Sequence, residues 1–430
     1  MMKILVLTNT FPSLSEKFLL NQMAALKAAG ADLTVLSAVE PPSGAKGKEN
    51  EDNGHRLYHT SGLDSVTVQL HIPRNRKKRF FRALAAAVPL LFFHPVLLLR
   101  GFNSRRYGTM AKNLKTVFLL RFLLAQQKRG VRWDLVHAHF GQNGLLGAWM
   151  KDCGFCTELV VTFHGADILA FPRKYGAGIY AYMYRRADAV TCGTRFVLHK
   201  LTENGCPEGK ITVLPMGINP QEYTAPETGK VQAAEPLSGT ENPFTVLSVG
   251  RVLPLKGFAY AIRAVAPMEG VIYRIAGEGP QRGELEKLAA ELGAADRVFL
   301  PGPKVDRELQ AMYAEASVFL LPSIRAENGW EEAQGLVVQE AGAAGIPVIA
   351  SDIGGVAEGI LDGETGFLVP EKNPEAIREK LLLLQKDPGL RRKMGKNARA
   401  FVTAHYDCAA LACKQLELYA RVSGHNHIHG

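Results

Sequence analysis

Two glutamates, Glu332 and Glu340, stand with seven residues between them in the run EAQGLVVQEAGAAGIPVIAS. Gly335, lying between them, suits the start of a helix, where the first N–H groups lack intrahelical partners and the dipole end is positive. A diphosphate fits such a place. Glu332 then precedes the helix and Glu340 lies at least a turn inside it, so their carboxylates can accept hydrogen bonds from two different polyols. Charge-assisted bonds of that kind contribute about 1.5–3 kcal/mol each. The spacing alone also describes a solvated loop charge and a helix charge facing water. A second group, SVGRVLPLKGF, carries Arg251 and Lys256 just after Gly250. Arginine offers a bidentate fork and lysine a point charge, both suited to phosphate oxygens. A third loop holds Gly277, Glu278, Gly279 and Pro280, with little side-chain bulk where a nucleotide would lie against backbone.

These loops need strands to hold them. Residues 2–8 read as a buried parallel strand, Ser15 as the start of a helix with the apolar stripe Leu19, Met23, Leu26, and residues 33–36 as a second strand. Further short apolar runs at 135–138, 159–163 and 189–192 end in loops rich in His, Gly and Asp. A second β-α-β series follows, with strands expected at 244–249, 271–276, 297–300, 318–321 and 347–350 and helices near 258–265, 281–292 and from 336. Both halves predict doubly wound α/β sheets, which place ligands at the carboxyl ends of their strands. At 430 residues the chain exceeds the ordinary size of one core. The expected organisation is a Rossmann-like domain over 1–215, a Pro- and Gly-rich linker over 216–243, a second Rossmann-like domain over 244–395 and a C-terminal helix over 396–430 that packs on the first domain.

Composition is that of a globular protein, with 47% hydrophobic and 21% charged residues. Six cysteines are too sparse for a disulfide scaffold, and the lone pair Cys153 and Cys156 lacks the further ligands of a zinc site. The opening segment has no long apolar core, so a cytoplasmic location is expected. The net charge of +10 is concentrated: residues 71–130 hold fourteen Lys and Arg, among them Arg74, Arg76, Lys77, Lys78, Arg79 and Arg82, and no Asp or Glu. This cluster runs into the apolar segment 83–99, broken by Pro89, His94 and Pro95. A spanning helix needs about 20 apolar residues. Basic groups beside an apolar segment instead suit an anionic membrane surface, and the alternative is a buried helix pair with a solvated basic flank. No recognition motif for nucleic acid accompanies the charge. His425, His427 and His429 read as a frayed tail.

The motifs together resemble the retaining glycosyltransferases of family 4, with the GT-B fold of two Rossmann-like domains facing across a cleft. The resemblance is carried by TNTFPSLSEKFLLNQM, HAHFGQNG, TFHGADI, LPMGIN, SVGRVLPLKGF, IAGEGP and the Glu332/Glu340 block followed by SDIGGVAEGILDGETGFLVP, and it spans essentially the whole chain. The opening motif and the His-Gly-x-Asp loop are similar to the branch that builds capsular and colanic-acid-type exopolysaccharides. The resemblance implies a donor site of Gly250, Arg251, Lys256, Gly277, Gly279, Glu332, Gly335, Leu336, Val337 and Glu340. Within it, Arg251 and Lys256 neutralise the diphosphate, Glu340 binds ribose and Glu332 orients the sugar. It also implies that His164 reaches the transferred sugar and that Phe11, Ser15 and Asp167 lie toward the acceptor. In AENGWEEAQ, Glu331 competes with Glu332, and the gap of seven favours Glu332.

No D-x-D occurs anywhere in the chain, so no metal site is expected and protein cations are left to stabilise the leaving nucleoside diphosphate. No cofactor is expected beyond a UDP- or GDP-linked sugar donor. The expected partners are that donor, a lipid-linked or oligosaccharide acceptor and the inner face of an anionic membrane. A nucleotide-sugar epimerase on the same architecture is the alternative, and it would need neither acceptor nor membrane.

Overall fold

The computed structural model describes residues 2–13, 16–38, 53–73, 75–223, 243–327 and 329–424. Ser15, Arg74, most of the expected linker and the histidine tail lie outside the described residues. The chain forms two compact units, Met1–Pro215 with Cys408–Gly430, and Met216–Asp407.

The first unit is built on seven parallel strands: β1 (Lys3–Thr8), β2 (Asp32–Ser37), β3 (Thr67–Gln69), β4 (Leu135–His139), β5 (Glu158–Phe163), β6 (Ala189–Cys192) and β7 (Ile211–Val213). Their order is β3-β2-β1-β4-β5-β6-β7. Strands covered on both faces need apolar residues at nearly every position, and all five residues of β4 are buried. The strand order reverses between β1 and β4, which pair from Ile4 opposite Leu135, and a doubly wound sheet opens its ligand crevice at such a reversal.

The second unit repeats the plan with six parallel strands: β8 (Phe244–Val249), β9 (Val271–Ala276), β10 (Val298–Gly302), β11 (Val318–Leu321), β12 (Val348–Ser351) and β13 (Gly366–Val369). The order is β10-β9-β8-β11-β12-β13, with the reversal between β8 and β11. Helices Phe258–Val265 and Pro374–Lys386 cover one face, burying Ile262, Val265, Ile377 and Leu381 against Val246, Ile275 and Leu320. Loops carrying the candidate donor residues leave the carboxyl ends of β8, β9 and β11.

Two boundaries differ from those expected. Residues 216–223 belong to the second unit rather than to a linker, because Ile218 bridges to Asp407 and Gln334 clasps Met216 through both its amide atoms, at 3.0 and 2.8 Å. Position 396 falls inside one continuous helix, Pro388–Tyr406, whose buried Met394, Ala398 and Val402 keep it in the second unit. The chain returns to the first unit only with helix Cys408–Val422, which packs on helix Lys17–Ala28 through Ala412, Leu418 and Tyr419.

The apolar segment after the basic cluster forms helix Arg76–Phe93, which continues through Pro89, and helix Pro95–Gly101. Only Ala83, Ala86 and Leu90 of the first are buried, on the face toward helix Lys115–Lys128. Phe92 and Phe93 are 77% and 78% exposed, so a buried helix pair is not what the chain builds there. Among the described residues no helix is long and apolar enough to cross a membrane.

Candidate active site

In the second unit the turn after β8 wraps Lys256 back over Gly250, where an added Cβ would lie 3.3 Å from the lysine Cε. The ammonium reaches the loop before helix Leu336–Ala343 and pairs with Glu332 Oε2 at 2.6 Å, with both side chains largely enclosed. Glu332 in turn packs beside Gly335, which takes φ +73 and has Val356 at 3.2 Å from a would-be Cβ. Gly335 is the N-cap and provides no side-chain cap, so the helix start is left to backbone N–H groups. Gly250, Lys256, Glu332 and Gly335 therefore form one contiguous group from two loops. A cation, a carboxylate and an uncapped helix start in contact can hold an anion and orient a hydroxyl beside it. Leu336 and Val337, in the first turn, are half-buried there.

Arg251 is exposed, and its guanidinium makes no hydrogen bond or ion pair among the described residues. The structure also separates the two adjacent glutamates. Glu331 is buried and accepts from Arg325 Nε at 2.9 Å, while Glu332 is the one beside Lys256. Glu340, on the same helix, does not simply face water: Tyr313 donates its hydroxyl to Glu340 Oε2 at 2.8 Å. Burial first, and the Glu340 charge second, hold the Tyr313 and Tyr223 hydroxyls protonated well above their ordinary range. Sequence reasoning does not reach Tyr313 and Tyr223, since nothing in their spacing ties them to Glu340.

Gly277 and Gly279 serve a different need from the one expected. A Cβ on Gly277 would lie 1.8 Å from the Gly250 carbonyl oxygen, and one on Gly279 would lie 2.2 Å from that of Val252. Their lack of side chain lets the β8 and β9 loops clasp backbone to backbone, with Val252 N donating to Glu278 O at 2.9 Å. The glycines let the wall of the site close backbone on backbone.

In the first unit His164 follows β5 and its Nε2 lies 3.0 Å from His139 Nδ1, the two rings stacked at 18°. Phe18 and Phe140 close on the same ring. Burial pushes the imidazole down to about 3, so His164 is neutral at physiological pH. Behind it, His137 links Tyr419 Oη at 2.5 Å to Thr162 Oγ1 at 2.6 Å. Of the residues expected toward the acceptor, the two that are described lie in the core. Asp167 is 1% exposed, and both its oxygens accept backbone N–H groups, from His164 and Gly165 on one side and Gly141 on the other. It fixes the His164 loop and touches no solvent-facing surface. Phe11 is likewise in the core, edge-on to Tyr58.

The comparisons with known proteins agree across both units. Residues 15–222 match the family model "Glycosyltransferase Family 4" and residues 233–401 match "Glycosyl transferases group 1". The putative colanic acid biosynthesis glycosyltransferase WcaL of Escherichia coli K12 is 30% identical over 377 residues, 86% of this chain and 87% of that protein. The amylovoran biosynthesis glycosyltransferase AmsK of Erwinia amylovora is 30% identical over 396 residues, 89% and 90% of the two chains. The crystal structure of Anabaena HepE in complex with UDP aligns over 98% of this chain and all of its own with a TM-score of 0.72 at 17% identity, which shows the same GT-B fold. With those matches and the two doubly wound units in hand, the chain belongs to glycosyltransferase family 4 and is a retaining glycosyltransferase.

Proposed function

We propose that the protein moves a hexose from a UDP- or GDP-linked donor to a lipid-linked oligosaccharide acceptor during assembly of an exopolysaccharide of the capsular or colanic-acid kind. The observation that carries the donor half is the Lys256–Glu332 pair set beside Gly250 and the uncapped helix start at Gly335. In this reading Arg251, Lys256 and the backbone N–H groups of Leu336 and Val337 take up the charge that grows on the departing diphosphate. These groups are fixed before reaction, which is what makes such stabilisation large. Glu332 orients the donor sugar, and Glu340, held by Tyr313, accepts from the ribose hydroxyls. His164, neutral through burial, exchanges a hydrogen bond with a hydroxyl of the transferred sugar.

The reaction breaks the bond between the anomeric carbon and the diphosphate oxygen and forms a bond from that carbon to the acceptor oxygen on the same face. The acceptor proton passes to a donor phosphate oxygen as the diphosphate leaves. No divalent ion is needed where protein cations meet the diphosphate. HepE was crystallised with UDP and with UDP-glucose, and WcaL and AmsK are named for colanic acid and amylovoran biosynthesis, which supports this choice of donor and pathway class. The acceptor lies at the inner face of an anionic membrane.

A thermal-shift panel of UDP- and GDP-sugars tests the donor. A ligand that binds the folded state raises the midpoint, by about 2.7 kcal/mol of added stability at a hundredfold excess over Kd. One nucleotide class should shift the midpoint in the presence of a metal chelator. Conversion of the donor into an epimer without acceptor would contradict glycosyl transfer.

A further inference from the structure

Helix Arg76–Phe93 is apolar on both of its faces. Ala83, Ala86 and Leu90 point into the first unit, as a surface helix requires. The opposite face of such a helix is ordinarily polar. Here it presents Phe81, Leu84, Val88 and Phe92, and helix Pro95–Gly101 extends the stripe with Val96 and Leu99, all more than half exposed. Ten of the fifteen large exposed hydrophobic side chains among the described residues fall between positions 80 and 102. Concentration on that scale marks an interaction surface rather than scattered exposure.

We infer that this pair of helices is a wedge that seats the first unit in one leaflet of an anionic bilayer, its phenylalanines among the acyl chains and its basic residues among the headgroups. Charge chooses this occupant over a second copy of the chain. Arg76, Lys77, Lys78 and Arg82 are exposed on the same helix, and residues 71–130 contain fourteen basic side chains and no acidic one. Two copies meeting face to face would bring these cations together, whereas anionic lipid offers each a counter-charge. The inserted length is too short to span, so the attachment is interfacial. The proposal deepens the lipid-linked acceptor reading and rests on it for its purpose. It adds that apolar insertion holds the protein on the membrane, with charge as the guide.

Flotation of the full chain with vesicles of phosphatidylcholine, alone or mixed with phosphatidylglycerol, tests it. Wild type should float with the mixed vesicles and remain partly bound in high salt. The double variant Phe92→Ser/Phe93→Ser should bind about tenfold more weakly or worse, since each ring carries much of the transferable apolar area. Lys77→Ser/Lys78→Ser should lose the preference for phosphatidylglycerol and keep the salt-resistant part, so that either pair decides the matter should the other misfold. Absence of wild-type binding, unchanged binding by the phenylalanine variant, or a wild-type dimer that this variant turns into a monomer would each overturn the proposal. Titration of UDP and of GDP into the same wild-type chain separates the two readings: vesicle binding without binding of either nucleotide sinks the donor assignment alone.

Discussion

Lys256 and Glu332 hold each other at 2.6 Å in a place largely closed to water, so neither can be changed without leaving the other poorly compensated. Glu331, one residue earlier, spends its carboxylate on Arg325 at the edge of the unit. Adjacent glutamates thus have different work, which gives a paired test. Glu332→Gln keeps the shape and removes the charge, and should lower kcat by about 100-fold, the scale of losing one preorganised transition-state contact. Glu331→Gln should leave donor KM and kcat near wild type and lower the thermal midpoint. Steady-state kinetics on both variants checks this, and equal losses would merge the two roles. The choice between these glutamates is open in the sequence because only the fold brings Lys256, 76 residues away, to one of them. Gly335 at the helix start can be read from type and position alone. The inward turn of Asp167 cannot, since a polar loop residue and a buried clamp look the same in a string of letters.

At the scale of elements, the loop after β5 owes its shape to Asp167, which ties the His164 turn to the start of helix Gly141–Asp152. Burial raises this carboxyl from 3.8 to about 6 against the pull of its backbone donors. Because the folded pKa is the higher one, the folded state keeps a proton that the unfolded chain has lost between pH about 4 and 6. The contribution is fully present below about 4 and is lost as pH rises through about 6, on the order of 3 kcal/mol across the window. Asp167→Asn lacks that titration and turns an N–H donor toward Gly141 N–H, so it should be less stable throughout, with a deficit that narrows as pH rises from 4 to 7. Thermal midpoints of both proteins over that range check the sign. Strands are the most legible elements, since β6, β8, β9 and β11 are apolar runs buried on both faces. β3 and β7, three residues long and only half-buried, and β13, fully buried only at its two ends, carry too little apolar pattern to be legible, and their neighbours in the sheet supply the reason they are extended.

Across the whole molecule, the chain leaves the first unit at Pro215 and returns to it at Cys408. The returning helix buries Tyr419 completely and passes its hydroxyl to His137, whose imidazole burial holds neutral, down to about 3. Tyr419→Phe leaves that ring nitrogen without its partner in the core, a loss of about 1–3 kcal/mol. The first unit should therefore melt earlier while UDP affinity, which the proposal places in the second, stays as it was. Calorimetric unfolding with and without UDP reads both quantities. A helix-forming C-terminal stretch is legible in the sequence, but where it goes and where the returning helix starts are not, because helices 388–406 and 408–422 read as a single stretch.

Catalysis as proposed depends on protein cations at the carboxyl end of the second sheet gripping a nucleoside diphosphate. Isothermal titration of UDP and of GDP into wild type and Lys256→Ala, all in a metal chelator, measures that grip without needing the acceptor. Wild type should bind one of the two clearly and the variant should lose about tenfold or more in affinity for it, the worth of a charge-assisted contact to phosphate. Equal affinity in the two proteins would refute the assignment.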